Sequence, residues 1–125
     1  MHGPLNEKIS VKKNQMTIGR KTISVLNERD PQKLPWKKMK IDVALECTGL
    51  FTSKEKASMH IKAGAKKVLV SAPCSEADKT IVYGVNEQEI TRNDLVVSNA
   101  SCTTNCLAPV VKVLHEKFGI IHGYM

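Results

Sequence analysis

The strongest candidate for chemistry in this sequence is one cysteine, Cys102, set in a run of small polar residues. An apolar segment, 95–97, precedes the run and an apolar helical pattern follows it, so Cys102 lies at a predicted strand-to-helix turn. The free N–H groups and partial positive charge of a helix N-terminus stabilise a thiolate, which is the nucleophilic form of cysteine. The local pattern therefore predicts covalent catalysis on a carbonyl, with an inert buried cysteine as the alternative.

Two hydroxyl residues, Ser101 and Thr103, flank this cysteine. Together with the backbone amides of a helix N-terminus, such hydroxyls can bind a phosphate or an oxyanion. Cys106 lies four residues further on, on the same helical face, and we expect it to be a small packed apolar residue rather than a resolving thiol. All four cysteines are expected to be free, and we predict no metal site, because no second cysteine pair has zinc-finger spacing.

The middle of the chain predicts a βαβ unit that would position this turn. An apolar strand over 41–47 is broken by Thr48-Gly49, and a second strand covers 68–71. Between them a capping box, with Thr52 as the N-cap and Glu55 reaching back, begins a helix that ends at Gly64. Such units form parallel sheets with right-handed crossovers.

The remaining elements are shorter strands and one long helix. Residues 8–27 alternate apolar and polar side chains and predict strands, and 81–85 and 95–98 predict two more. Apolar residues at helical spacing predict a last helix, which we place from Ser101 through a kink at Pro109 to residue 118.

The bulk composition is that of a globular chain, with 42% hydrophobic and 25% charged residues in 125. No apolar run reaches the roughly 18 residues that cross a bilayer, so we expect a cytoplasmic protein without a membrane partner. The net charge is +7, and residues 1–67 carry 15 basic and 6 acidic side chains. The basic residues are scattered and rarely adjoin aromatic ones, which favours a solvated basic face over a nucleic-acid site.

Seven segments of the chain resemble motifs of the glyceraldehyde-3-phosphate dehydrogenase family. The longest, Ser98–Pro109, is similar to the family's active-site signature around its catalytic cysteine. The others, in the family's order, are His2-Gly3, Glu28–Pro31, Glu46–Phe51, Gly64–Val68, Ser71–Pro73 and Tyr83–Asn86. The resemblance covers essentially the whole chain.

This resemblance implies an α/β fold, with an incomplete Rossmann-type doubly wound sheet plus the first helix of the catalytic domain. Residues 1–100 would be the C-terminal part of an NAD-binding domain, and 101–125 the start of a truncated catalytic domain. The family oxidises glyceraldehyde 3-phosphate with NAD and inorganic phosphate to an acyl phosphate. By resemblance Cys102 is the catalytic nucleophile, Ser101 and Thr103 contact substrate or phosphate, and the cofactor contacts are Arg29, Thr48, Gly49 and Ser71.

The sequence also departs from the family pattern. None of its seven glycines are in the Gly-x-Gly spacing of the family's pyrophosphate turn, and the family's catalytic histidine and substrate-binding arginine correspond to positions beyond Met125. His115 and His122 are interpreted as surface residues. We therefore expect a fragment with little dehydrogenase activity of its own, from a family whose full-length members form homotetramers.

Three alternatives stay open from the sequence alone. Erythrose-4-phosphate dehydrogenase has a very similar signature, and NADP is not excluded as the cofactor. A truncated, non-enzymatic module could bind nucleotide or nucleic acid through the basic first half, although we expect no nucleic-acid partner. A gene fragment that does not fold alone is the third alternative.

Overall fold

The computed structural model describes residues 3–125, which form two compact units that divide between Asp30 and Pro31. Met1 and His2 lie outside the described residues, and with them the first two positions of the predicted domain 1–100 and half of the His2-Gly3 motif. The predicted domain boundary after residue 100 stays a prediction.

The first unit contains a three-stranded antiparallel sheet. Its strands are β1 (Ile9–Lys12), β2 (Gln15–Ile18) and β3 (Lys21–Ser24), paired in chain order. The turns between them contain Lys13 at φ 47° and Gly19 at φ 56°, the left-handed conformation that tight hairpins need. The strands predicted within 8–27 are confirmed.

The second unit contains a four-stranded parallel sheet. Its strands are β4 (Val43–Glu46), β5 (Lys67–Val70), β6 (Lys79–Thr80) and β7 (Val96–Ser98), in the order β4-β5-β7-β6. Every neighbouring pair is parallel. The α/β class and the predicted β4, β5 and β7 are confirmed.

The predicted strand over 81–85 is wrong. The strand there is β6, which ends at Thr80, and Ile81 and Val82 are buried in the turn that follows. The side chain of Asn86 closes this turn, because its Oδ1 accepts the N–H of Val82 at 2.9 Å and its Nδ2 donates to the carbonyl of Thr80 at 3.1 Å. Ile81 N still donates to the Ser98 carbonyl of β7 at 2.8 Å, so one ladder hydrogen bond follows the end of β6 before the chain turns.

Within residues 3–125, four α-helices accompany the sheet: α1 (Trp36–Met39), α2 (Lys54–Ala57), α3 (Met59–Lys62) and α4 (Cys102–Phe118). Two 3₁₀ turns cover Pro31–Lys33 and Glu87–Glu89. Helix α4 begins after Ser101, continues through Pro109 and ends before Gly119, which has φ 71°. Its predicted extent is confirmed. Within residues 3–125, no helix combines the length and the apolar character that crossing a lipid bilayer requires.

The capping prediction for α2 is wrong by one residue. Ser53, not Thr52, is the N-cap, and its hydroxyl accepts the N–H of Lys56 at 3.3 Å. The reason is tertiary: Ser53 forms a parallel bridge to Ser75, and Lys54 N donates to the Ser75 carbonyl at 2.8 Å, so the chain stays extended through residue 53.

The single helix predicted up to Gly64 is divided into α2 and α3 at Ser58, whose hydroxyl donates to the carbonyl of Lys54 at 2.6 Å. Gly64 ends α3 as predicted, with φ 108°. A Cβ at this position would lie 2.7 Å from the backbone of Lys37, whose N–H donates to the Ala63 carbonyl. Only glycine therefore allows α1 to pack this closely against the end of α3.

The core lies between β5, β7 and α2. It contains Ala57, Val68, Val70, Cys74 and Val96, all buried. Because side chains alternate along a strand, Val68 and Val70 point to the same face of the central strand β5. Ala57 is the one residue that α2 contributes to this core, and it is completely buried.

Asp78 connects the sheet to α2. Its Oδ2 accepts the N–H groups of Leu95 at 2.9 Å and Val96 at 2.8 Å, and its Oδ1 accepts from Lys54 Nζ at 2.6 Å. The hydrogen bond from Lys54, followed by that from the Val96 amide, holds the pKa of Asp78 below its ordinary value of 3.8. One carboxylate thus fixes where β7 begins and where α2 lies.

We predict that Asp78→Asn lowers the free energy of unfolding by about 1–3 kcal/mol at pH 7, because three hydrogen bonds lose a charged acceptor. A depressed folded-state pKa contributes stability that is present above pH 3.8 and is lost as the pH falls through the folded value. The difference between wild type and variant should therefore shrink below pH 3.8. Urea unfolding monitored by circular dichroism across this pH range measures it.

Asp42→Asn is the matched control, because Asp42 also pairs with a lysine at 2.6 Å, but both side chains are about three-quarters exposed. Exposed pairs contribute little, so we expect a loss of about 0.5 kcal/mol or less. Equal losses in the two variants would contradict the role given to Asp78.

Candidate active site

The carboxyl edge of the parallel sheet collects six of the seven predicted site residues. Thr48 and Gly49 follow β4, Ser71 follows β5, and Ser101, Cys102 and Thr103 follow β7. The strand ends are held level, because Ser71 N donates to the Glu46 carbonyl at 3.0 Å and Asn99 N donates to the Val70 carbonyl at 2.9 Å. This edge is where open α/β sheets bind ligands.

Arg29, the seventh, belongs to the first compact unit. It lies outside the three strands of that unit and is exposed. Its predicted cofactor contact stays a prediction.

The turn before Cys102 is held on its buried side by Ser98, whose side chain is completely buried. Ser98 Oγ donates to the carbonyl of Ala72 at 2.7 Å and accepts the N–H of Ala100 at 3.1 Å. Ala100 has φ 56°, a left-handed conformation that costs a residue with a Cβ about 1–2 kcal/mol. Ser98 therefore stabilises a strained backbone immediately before the cysteine.

The same turn is also held from the helix side, by Asn105 in the first turns of α4. Its Nδ2 donates to the carbonyl of Asn99 at 2.6 Å and to that of Ser101 at 2.9 Å. Two side chains, one from β7 and one from α4, thus fix residues 99–101 on both sides. The position of Cys102 is set by these four hydrogen bonds.

Ser101 is the N-cap of α4. Its Oγ accepts the N–H of Thr104 at 3.0 Å and forms hydroxyl hydrogen bonds to Thr103 and Thr104 at 2.9 and 2.7 Å. Cys102 is the first residue of the helix and its side chain is exposed. Within residues 3–125, the amide N–H groups of Cys102 and Thr103 have no protein acceptor, so they remain available to an anion.

A cleft of about 530 Å³ adjoins this N-terminus. Most of its wall is hydroxyl-bearing or small, and the residues are Thr52, Pro73, Cys74, Ser75, Thr80, Ala100, Ser101 and Thr104. Cys74 contributes a thiol here, but burial raises its pKa, which leaves it protonated and unreactive at neutral pH. Of the two thiols beside the helix N-terminus, Cys74 is buried and Cys102 is exposed, and the exposed Cys47 follows β4 further along the same edge.

The cysteine predictions are confirmed in part. All four cysteines are free, as expected. Cys106, predicted to be packed, is instead exposed on α4, because the helix leaves this face uncovered within the second unit. No group of three or more histidine, cysteine, aspartate or glutamate side chains in the described part of the chain could hold a metal ion.

The described histidines all interact elsewhere. His115 Nδ1 accepts the N–H of Ile120 at 3.2 Å, and His122 packs edge-on against Tyr124. Both are exposed, which confirms their interpretation as surface residues. His60 is buried beside Glu46 and Trp36. In residues 3–125, therefore, no histidine hydrogen-bonds to the thiol of Cys102.

A buried polar network behind the Thr48-Gly49 loop was missed by sequence reasoning. Glu46, 3% exposed, accepts the backbone N–H of Thr48 at 2.8 Å and also its hydroxyl, and it pairs with His60 Nε2 at 2.9 Å. Burial acts to raise the pKa of Glu46, but the hydrogen bonds from Thr48 and His60 outweigh it and lower that pKa below 4.5. The one signal in the sequence was an acidic residue at an inward-facing strand position.

Comparison with known proteins matches two family models to the chain. One is described as "Glyceraldehyde 3-phosphate dehydrogenase, NAD binding domain" and matches residues 1–54. The other is described as "Glyceraldehyde 3-phosphate dehydrogenase, C-terminal domain" and matches residues 101–125, which include the cysteine turn.

Individual relatives match over the full length of the chain. It is 55% identical to glyceraldehyde-3-phosphate dehydrogenase of Cereibacter sphaeroides over 125 residues, which are 100% of this chain and 37% of that protein. It is 54% identical to the enzyme of Zymomonas mobilis over 99% of the chain and 37% of the relative. The figures for glyceraldehyde-3-phosphate dehydrogenase 1 of Bacillus subtilis are 52%, 100% and 38%.

The chain thus spans about 37% of the length of the curated relatives it matches. The matched residues include the parallel sheet and the cysteine turn, and the matched family is the one that the active-site signature resembles. This chain belongs to the glyceraldehyde-3-phosphate dehydrogenase family.

Proposed function

We propose that this chain supplies the nucleophile and part of the cofactor site of an NAD-dependent phosphorylating dehydrogenase of glyceraldehyde 3-phosphate. The observation that carries the proposal is the exposed thiol of Cys102 on the first residue of α4, at the carboxyl edge of a parallel sheet. The two free amides of that helix turn lie beside it.

The first chemical step follows from this geometry. The Cys102 thiolate attacks the aldehyde carbon, a sulfur–carbon bond forms, and the carbonyl electron pair moves to the oxygen, which takes up a proton to give a thiohemiacetal. The free N–H groups of Cys102 and Thr103 support this step, because such donors can stabilise the developing oxyanion, as they do in acyl-transfer sites.

The residues after β4 and β5 fit one side of a dinucleotide. Gly49 has φ 74° and no heavy atom within 4 Å of the position a Cβ would take, so a ligand can approach its backbone. Thr48 and Ser71 are exposed at the same edge. NAD held there would supply the acceptor for the hydride on the thiohemiacetal carbon, which would leave an acyl group on Cys102 as a thioester.

Inorganic phosphate then releases the product. A phosphate oxygen attacks the thioester carbonyl, the sulfur–carbon bond breaks, and Cys102 leaves as the thiolate with an acyl phosphate formed. Ser101 Oγ caps α4, and because a hydroxyl that accepts one N–H can bind a further group, Ser101 stays a proposed contact of substrate or phosphate. Thr103, the residue after Cys102, is the second proposed contact, and its hydroxyl is hydrogen-bonded to that of Ser101.

The proposal also specifies the substrate, the cofactor, the oligomeric state and the cellular location. Attack of a thiolate on an aldehyde does not itself select glyceraldehyde 3-phosphate over erythrose 4-phosphate, so comparing the two substrates tests that choice. NAD as the cofactor, a homotetramer and a cytoplasmic location belong to the same proposal.

We predict that iodoacetamide at pH 7 labels Cys102 faster than Cys106. Both thiols are exposed on α4, but only Cys102 is in the first turn, where the partial positive charge favours an anion by about 0.3–1 kcal/mol, or roughly two- to fivefold in rate. Peptide mass spectrometry of time points measures both rates in one sample. Glyceraldehyde 3-phosphate should slow the labelling of Cys102 alone; equal protection of both thiols would contradict the assignment.

We further predict that the purified 125-residue chain forms no measurable NADH from glyceraldehyde 3-phosphate, NAD and phosphate. No histidine in residues 3–125 hydrogen-bonds to Cys102, and loss of a general base costs about 10²–10⁴ in rate. Absorbance at the NADH band measures it, with a full-length relative as the positive control. NADH formation that disappears in Cys102→Ser would show that the described residues suffice for turnover.

A further inference from the structure

We propose that Glu46 is the positioning residue of the Thr48-Gly49 loop, and that Trp36 and His60 fix the direction of the hydrogen bonds that hold it. The role in cofactor binding rests on the proposed function; the positioning itself does not. Glu46 lies at the carboxyl end of β4, and its side chain turns inward while the loop continues along the exposed edge.

The contacts of Glu46 reach through the loop. Its Oε1 accepts both the backbone N–H and the hydroxyl of Thr48. The Thr48 oxygen in turn accepts the N–H of Leu50 at 3.1 Å. Gly49, between them, has the left-handed φ of 74° that this path requires. The carboxylate therefore sets the backbone of residues 48–50, where strand pairing has already ended.

The other oxygen of Glu46 is hydrogen-bonded to His60, and the partners of His60 determine which of its ring nitrogens carries the proton. The indole Nε1–H of Trp36 can only donate, and it lies 3.0 Å from Nδ1 of His60. Nδ1 must therefore be the unprotonated, accepting nitrogen. The proton of the neutral ring is on Nε2, which donates to Glu46 Oε2 at 2.9 Å. His60 and Glu46 are only 6% and 3% exposed, so water does not offer a second arrangement.

The hydrogen bonds therefore all point toward Glu46. Trp36 donates to His60 and His60 donates to Glu46, while Thr48 donates to Glu46 from the other side. A carboxylate suits this position because it accepts at both oxygens and donates at neither. A glutamine of the same shape cannot replace it. Its amide NH₂ would face either the Nε2–H of His60 or the two donors of Thr48, and each choice places donor against donor.

The conflict has a specific rescue. If Trp36 is replaced by phenylalanine, His60 no longer has to accept at Nδ1 and can move its proton there. Nε2 then accepts from the amide of a glutamine at position 46, whose oxygen again accepts from Thr48. A role of Glu46 in packing alone predicts no such rescue, because removing the indole can only loosen the core further.

The experiment measures amide hydrogen exchange of Thr48 and Leu50 by NMR in the full chain. Glu46→Gln should speed exchange at both amides by roughly tenfold or more, from the loss of a charge-assisted hydrogen bond. Glu55→Gln, which removes an exposed carboxylate in the first turn of α2, is the control and should change neither. Unchanged exchange at Thr48 in Glu46→Gln would overturn the proposal.

Two further readouts separate positioning from general stability. The double variant Trp36→Phe with Glu46→Gln should recover protection at Thr48 while its thermal midpoint stays below that of wild type. In wild type, ¹⁵N resonances of His60 should show Nε2 protonated and Nδ1 unprotonated. A protonated Nδ1, or no recovery in the double variant, would contradict this direction of the hydrogen bonds.

Titration with NAD distinguishes this inference from the proposed function. If wild type binds NAD, Glu46→Gln should weaken binding by roughly tenfold, and an unchanged affinity would overturn the link from loop to cofactor. If wild type binds no NAD, the proposed cofactor site fails for this chain. The exchange and tautomer measurements would then still decide whether Glu46 positions the loop.

Discussion

Parallel pairing of β5 with β4 on one side and β7 on the other is the interaction on which the remaining structure depends. Because all three strands run the same way, the segments that leave them emerge at one edge. The hydrogen bonds that continue past the strand ends, from Ser71 to Glu46 and from Asn99 to Val70, carry this alignment into the loops. Residues distant in sequence thereby share one edge of the sheet.

The polar side chains buried beneath this edge hold the backbone of the loops at the edge in place. Ser98 and Glu46 both lie at the ends of strands, both face inward, and both hold backbone that the sheet no longer pairs. In each case a buried polar side chain replaces the ladder hydrogen bonds that end with the strand. Within residues 3–125 no buried side-chain polar atom lacks a partner, which is what makes such groups tolerable in a core.

Much of the fold was predictable because its signals are local. Strands β4, β5 and β7 are marked by continuous apolar runs, and α4 by a capping serine and apolar residues at helical spacing. Cys102 was identified for the same reason, since its polar neighbours mark a helix start. The family resemblance then supplied roles that local chemistry does not give.

What sequence reasoning missed depends on contacts between distant segments. The choice of Ser53 over Thr52 as the N-cap is made by pairing with Ser75. The strand predicted over 81–85 is replaced by a turn that Asn86 closes, since Val82 N donates to Asn86 Oδ1. The network around Glu46 joins β4, α1 and α3, so no single window of sequence contains it.

The complete burial of Ser98 has a consequence for how natural variation in this chain is interpreted. Ser98 touches no ligand-facing surface, yet it holds the left-handed Ala100 on which the orientation of Cys102 depends. An alanine at 98 would nearly preserve the volume of the side chain and would usually be regarded as a conservative change at a buried position. It would nevertheless misdirect the nucleophile. Position 98 should therefore tolerate as few substitutions as a reactive residue does, although Ser98 takes no part in the reaction.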